Sequence, residues 1–181
     1  NSPAKTLQEY LALALKDPSS AAYGTPGTGS AMHFIGALLG KQSKTPLTHV
    51  PYRGASPAMT DLMAGTVPAA IASTQVMLPM HRAGKIRILA TTDGTPHPAL
   101  PGVPTFKSAG FPDLEVDELF AFFAKAGTPE ASVTQLHQAI SRAVKPPRVE
   151  ASLKKNECEP KVMRPQALDA RVRAQHARWG R

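Results

Sequence analysis

One run constrains this chain more than any other: Ala22-Tyr23-Gly24-Thr25-Pro26-Gly27-Thr28-Gly29-Ser30-Ala31-Met32-His33. Ala21-Ala22-Tyr23 leaves room only for a short strand. Beyond the glycines, Ala31, Phe34, Ile35, Leu38 and Leu39 recur at the i, i+3, i+4, i+7, i+8 spacing of an amphipathic helix. Strand, glycine-rich loop and helix start leave backbone N–H groups without intrahelical partners, and such groups suit an anion. Ser30 or Thr28 can cap the helix, and either hydroxyl can instead turn toward a ligand. The same run also reads as an ordinary tight turn whose glycines supply positive φ and bind nothing.

Two sharper motifs fail here. A phosphate-binding loop needs Gly-x-x-x-x-Gly-Lys-Ser/Thr; Gly24 and Gly29 fit, but Ser30 replaces the lysine and Ala31 the hydroxyl. A dinucleotide fingerprint fails because Met32 stands where its third glycine belongs.

At 181 residues the chain has room for one substantial domain or two small ones. No stretch approaches the roughly 18 apolar residues that cross a bilayer. Cys158 stands alone, so neither a disulfide framework nor a cysteine metal site exists within the chain, and no cofactor is expected. Asn1-Ser2-Pro3 opens without a methionine or a signal peptide, which leaves the compartment unread. The net charge of +8 is uneven: residues 1–127 hold ten Lys/Arg against eight Asp/Glu, and residues 128–181 eleven against five. Without interleaved aromatics or a nucleic-acid-binding module, that excess reads as a solvated basic face, not a nucleic-acid surface.

Thr6-Leu7-Gln8-Glu9 forms a capping box, and Leu7, Tyr10, Leu11, Ala14 and Leu15 share one apolar face of the helix that Asp17-Pro18 ends. The helix after the glycine turn runs to about Gly40. Leu47-Thr48-His49-Val50 alternates as a strand, and Ser56-Pro57 starts a helix as N-cap and first residue. Val67 to Ala72 reads as a buried strand, Thr74 caps a helix kinked at Pro79, and Ile86 to Ala90 is the next strand. Gly94 to Pro104 is an ordered, proline-rich surface loop, and Leu114 to Ala124 is extended. From Thr128-Pro129 the chain turns helical, with Val133, Leu136, Ile140, Ala143 and Val144 as a buried face. A shorter helix reaches about Asn156, Lys161 to Met163 can form an edge strand, and a last helix puts Leu168, Val172 and Trp179 on one face. Strands alternating with helices give an α/β fold with a parallel sheet, whose ligands bind at the C-terminal ends of the strands.

Three stretches together resemble a known family. They are Tyr23-Gly24-x-x-Gly27-x-Gly29-Ser30-x-x-His33, His49-Val50-Pro51-Tyr52-Arg53-Gly54-Ala55-Ser56-Pro57-Ala58, and Leu100-Pro101-Gly102-Val103-Pro104-Thr105. With Ala126-Gly127-Thr128-Pro129 and Arg178-Trp179-Gly180, the chain is similar from end to end to the Bug (TctC-like) solute-binding receptors of tripartite tricarboxylate transporters. The resemblance implies a periplasmic, type II binding-protein-like receptor with two lobes. It captures a small carboxylate or dicarboxylate and hands it to separate membrane subunits. Residues 1–119 then correspond to the complete second α/β lobe, and residues 120–181 to a mainly helical, C-terminal part of a first lobe whose N-terminal part is absent.

The resemblance also implies a ligand site. Thr25, Gly27, Thr28, Gly29 and Ser30 supply the glycine turn, Tyr52, Arg53, Gly54 and Ala55 supply a loop beside it, and Ser73 completes the set. Arg53 either pairs with a carboxylate or is an exposed loop arginine. His33 matches a family histidine, yet points away from its helix's apolar face and reads equally as solvated. Departures are informative. The family usually carries an acidic or amide pair where Ala72 and Ser73 stand, so a plain carboxylate is expected over an amino acid. Ala31 and Met32 replace small and hydroxylated positions, and Leu119 replaces an aromatic.

Two other classes stay open: an interaction or sensing protein derived from a truncated receptor, and a hydrolase. The hydrolase lacks a Gly-x-Ser-x-Gly elbow, and the six histidines show no His-Glu-x-x-His pairing. Because Leu119 to Ala124 and the following helix are apolar, self-association through residues 119–144 is a further expectation.

Overall fold

The computed structural model describes residues 2–116, 119, 121–155, 158 and 160–179. The chain divides into two compact units, Asn1–Leu119 and Phe120–Arg181.

In the first unit, helix α1 (Leu7–Lys16) opens on the expected capping box. The Thr6 hydroxyl accepts the Glu9 N–H at 3.1 Å, and the Glu9 carboxylate accepts the Thr6 N–H at 3.3 Å. The helix buries Leu7, Tyr10, Leu11 and Ala14, while Leu15 is exposed. Three parallel strands follow, β1 (Ala22–Thr25), β2 (Thr48–Pro51) and β3 (Ala69–Ala70), in the order β2-β1-β3. Tyr23 lies opposite His49 on one side and Ala69 on the other. Each strand feeds a helix: α2 (Ala31–Ser43), α3 (Ala55–Ala64) and α4 (Thr74–Arg82). This is the α/β fold with a parallel sheet that the alternation implies.

Helix α2 sits on β1 through a missing side chain. A Cβ at Gly36 would lie 2.1 Å from Cε2 of Tyr23, so only glycine lets the buried Tyr23 ring lie against the helix. The helix runs past Gly40 to Ser43 and ends on Lys44 in the left-handed region, at φ 55°.

Several boundaries differ from expectation. Helix α3 starts two residues early: Gly54, at φ 105°, is its N-cap, so Ser56 and Pro57 sit inside the first turn. Proline costs no hydrogen bond there, because first-turn N–H groups have no intrahelical acceptor. Ser73 is the N-cap of α4, with Thr74 its first residue, and the helix continues through Pro79 to Arg82. The strand expected over Val67 to Ala72 shrinks to Ala69–Ala70, with the Ile71 N–H still donating to Gly24 O at 2.9 Å.

No strand forms at Ile86 to Ala90. The Ile88 N–H is captured by Nδ1 of His81 at 3.2 Å, and a single parallel bridge pairs Thr91 with Thr105. Ile88 instead packs on a cluster of Leu78, Leu100 and Val103. The proline-rich loop thus contributes two core residues and is not purely a surface feature. Leu114, expected in extended chain, closes a short 3₁₀ turn (Pro112–Leu114) and is fully buried.

The second unit comprises α5 (Glu130–Ala143), α6 (Pro147–Lys155) and α7 (Pro165–Trp179). Pro129 is the N-cap of α5; Thr128, expected there, donates its hydroxyl to Lys125 O at 2.7 Å. Within this unit no described residue is in a strand. Val133, Ile140 and Val144 are half-buried, Ala143 is exposed, and Leu136 is 51% exposed. Lys161 to Met163 forms no edge strand, and Val162 is exposed. Residues 121–124 are neither strand nor helix; Phe122 and Phe123 are 78% and 74% exposed. The rest of that expected extended segment includes Asp117, Glu118 and Phe120, which lie outside the described residues, as do Asn156 and the Trp179 side chain.

Candidate ligand-binding site

All three strands point the same way, so α2, α3 and α4 begin at one edge of the sheet. Their N-termini carry the positive ends of three helix dipoles to that edge. The loops are tied together there. Tyr52 N–H donates to Thr25 O and Gly54 N–H to Pro26 O, each at 2.9 Å.

Thr25 ends β1 with a fully buried side chain. Its hydroxyl donates to Gly27 O at 3.2 Å and accepts the Gly27 N–H at 3.4 Å. Oγ1 also lies 2.7 Å from Nε2 of His49. Which of the two donates depends on the tautomer of His49: either its Nε2–H donates to the hydroxyl, or the hydroxyl donates to a bare Nε2. Ser30 caps α2: its hydroxyl donates to Gly27 O at 2.7 Å and accepts the His33 N–H at 3.3 Å. Capping therefore falls to Ser30, not Thr28. Gly29 turns the chain at φ 77°, a conformation that favours glycine.

The histidines form a second layer. His33, half-buried on α2, stacks on His49 with ring centroids 4.0 Å apart, and the ring of Tyr23 packs 5.3 Å from His49. Nδ1 of His33 accepts the Gly29 N–H at 3.3 Å. The solvated reading of His33 therefore gives way to a ring bonded to the glycine turn. Burial, and then the neighbouring His33, push His49 below the ordinary imidazole value, which keeps it neutral at pH 7. Burial likewise raises Tyr23 above the usual phenol value.

The expected site residues divide by what their polar groups already do. Thr25 and Ser30 have hydroxyls engaged inside the turn, and Tyr52 donates its hydroxyl to Asp61 Oδ2 at 2.9 Å. The Tyr52 ring packs on Gly24, where a Cβ would lie 3.0 Å from its Cε2. Thr28 and Arg53 are exposed and Ser73 is half-buried; among the described residues their side chains have no hydrogen-bond or ion-pair partner. The N–H groups of Ala31 and Met32 on α2, and of Ala55 and Ser56 on α3, are likewise uncommitted among the described residues. Gly27 has a weak partner for its N–H, and Gly54 N–H is spent on Pro26. Sequence reasoning passed over His49 and Gly36. His49 looked like one residue of an alternating strand, and only its register opposite Tyr23 gives it a place in the site.

The whole chain, residues 1–181, matches the model of the tripartite tricarboxylate transporter family receptor. The chain belongs to that receptor family. A Pseudomonas relative, described as a UPF0065 protein of the tcbD–tcbE intergenic region, is 34% identical over 176 residues, which cover 97% of this chain and 52% of that protein. An R. palustris structure with adipate matches at TM-score 0.88 and 30% identity, covering 98% of this chain and 60% of that one. MatC of Rhodopseudomonas palustris with bound malate matches at TM-score 0.87 and 28% identity, over 98% and 61% of the two chains. The periplasmic binding protein BugD matches at TM-score 0.85 and 25% identity, over 99% and 60%. The chain spans about half the length of the curated relatives it matches.

The tripartite tricarboxylate transporter receptors are solute-binding proteins and not an enzyme family. Among the described residues of this member, no helix is long and apolar enough to cross a membrane. No cluster of three or more described His, Cys, Asp or Glu side chains is placed to hold a metal ion.

Proposed function

We propose that this chain provides the carboxylate-binding edge of a periplasmic solute receptor that serves a tripartite tricarboxylate transporter and catalyses nothing itself. Residues 1–119 act as one lobe, and residues 120–181 belong to the other. The single observation that carries the reading is the shared edge of three helix N-termini. It gathers uncommitted amides at Ala31, Met32, Ala55 and Ser56 with the unpartnered Arg53 guanidinium and Ser73 hydroxyl. Donors without acceptors at a positive edge suit a carboxylate. Thr25, Gly27, Thr28, Gly29 and Ser30 shape the turn under one carboxylate oxygen, and Tyr52, Gly54 and Ala55 shape the loop that presents Arg53. The malate and adipate held by the two neighbours belong to the same chemical class.

Ala72 gives the site a methyl group near Ser73, which cannot accept from an ammonium group. The ligand is therefore a plain mono- or dicarboxylate, and the membrane subunits of the transporter are the partners it is delivered to. Titration with adipate, malate and aspartate, followed by amide chemical shifts, tests the reading. Gly27, Gly29, Ser30 and Ala55 resonances move with the first two and not with aspartate. Movement elsewhere, or with aspartate alone, would sink it.

A further inference from the structure

The glycine turn is not simply open to an anion. One of its donors, the Gly29 N–H, is already held by Nδ1 of His33 at 3.3 Å. That nitrogen accepts only while it is unprotonated, so in this state any His33 proton sits on Nε2. Once the ring gains a second proton, Nδ1–H faces Gly29 N–H, two donors meet, and the bond is lost. An anion at the turn supplies the acceptor both groups then need.

Behind His33 the second ring cannot share that role. His49 stacks on it at 4.0 Å, and its Nε2 is engaged with Thr25 Oγ1 at 2.7 Å, turned away from the glycine amide that His33 holds. Two stacked imidazolium rings would repel at this separation, and burial already opposes charge on His49. Among the described residues the other titratable groups against the pair are neutral phenols: Tyr23 of β1, whose hydroxyl donates to His33 O at 3.2 Å, and beyond it Tyr10 of α1, pushed up to about 12. Among the described residues no carboxylate pairs with either ring, and Asp61 on α3 is turned to Tyr52. Arg53, on the adjoining loop, is the fixed positive charge of the same edge.

We infer that carboxylate capture at the glycine turn is coupled to uptake of one proton by His33, with His49 staying neutral as the platform that fixes the ring. The inference rests on the proposed ligand reading and adds to it a pH-dependent affinity. No covalent step is involved: one proton moves from solvent to His33 as Gly29 N–H passes from imidazole to carboxylate. Linkage makes the effect reciprocal, so the anion raises His33 protonation by the factor by which protonation strengthens binding.

Adipate is titrated into the full chain, with amide and imidazole ¹⁵N shifts recorded between about pH 8 and pH 6, the range in which histidine changes charge. Binding is expected to tighten about tenfold across that range, with His33 gaining its proton and His49 staying neutral. His33→Asn, which retains an acceptor for Gly29 but cannot protonate, should give a flat profile; its profile also corrects for any change in adipate's own charge. His49→Gln keeps both a donor and an acceptor for Thr25 and should keep the pH dependence. Glycine-turn amides that move equally at every pH would overturn the coupling and leave the ligand reading standing. An unaltered slope in His33→Asn would do the same. Amides that move at no pH would remove the site itself, and both readings with it.

Discussion

Arg53 decides whether the second loop meets the ligand. Its guanidinium is exposed and has no partner among the described residues, so removing it breaks nothing inside the fold. If it holds a carboxylate, Arg53→Ala should cost about 1.5–3 kcal/mol of adipate affinity, the range for a hydrogen bond to a charged group. A purely solvated arginine would cost less than about 1 kcal/mol. Amide-shift titration of the two chains separates these outcomes. His49 makes a different, pH-dependent contribution, to stability. Its folded-state value is lowered, so the unfolded chain takes up a proton the folded one refuses once pH falls below about 6.5. The stability it supplies is complete above that pH and declines as pH drops toward the folded value. Urea midpoints of wild type and His49→Gln should therefore converge on acidification below about pH 6.5. Midpoints that keep a constant gap would show that His49 does not titrate as described.

At the scale of elements, α2 against β1 is the contact on which the site depends, because it sets His33 over His49. Gly36→Ala puts a methyl group where Tyr23 Cε2 already lies, 2.1 Å from the new Cβ. Overpacking of this kind costs about 1–3 kcal/mol, and a Tyr23→Leu change in the same chain should recover part of it. A urea midpoint unchanged by Gly36→Ala would mean that the helix shifts freely on the sheet. Much of this scaffold was legible beforehand, because local rules operate there undisturbed: the capping box at Thr6 and Glu9, the strand–turn–helix at Tyr23 to Phe34, and the βα alternation. What was not legible was set by distant side chains. Ile86 to Ala90 has the composition of a strand, but His81 takes the Ile88 N–H. Ser56-Pro57 has the pattern of a helix start, but the positive φ of Gly54 opens α3 two residues sooner. The turn's conformation, with Gly29 at positive φ and Ser30 as the cap, was readable from its residues; the histidine stack was not, because it needs strand register and helix position together.

At the scale of the whole molecule, apolar surface and charge gather in the same part of the sequence. Phe122 and Phe123 are 78% and 74% exposed and Leu136 is 51% exposed, while residues 128–181 carry eleven of the basic side chains against five acidic ones. Exposed large apolar groups of this kind favour burial against another surface, and like charge opposes bringing two copies together. The two terms respond oppositely to salt. Screening shortens the reach of the repulsion, to about 8 Å at 0.15 M, and leaves apolar burial intact. We therefore expect reversible self-association through residues 119–144 that strengthens as salt is raised, seen as a rising weight-average sedimentation coefficient. Phe122→Ser combined with Phe123→Ser should return the chain to a monomer at every salt concentration, without moving the glycine-turn resonances. An association that weakens with salt would be electrostatic and would point to the basic residues instead. A wild-type chain that stays monomeric throughout would show that these phenylalanines are too few to hold two copies together.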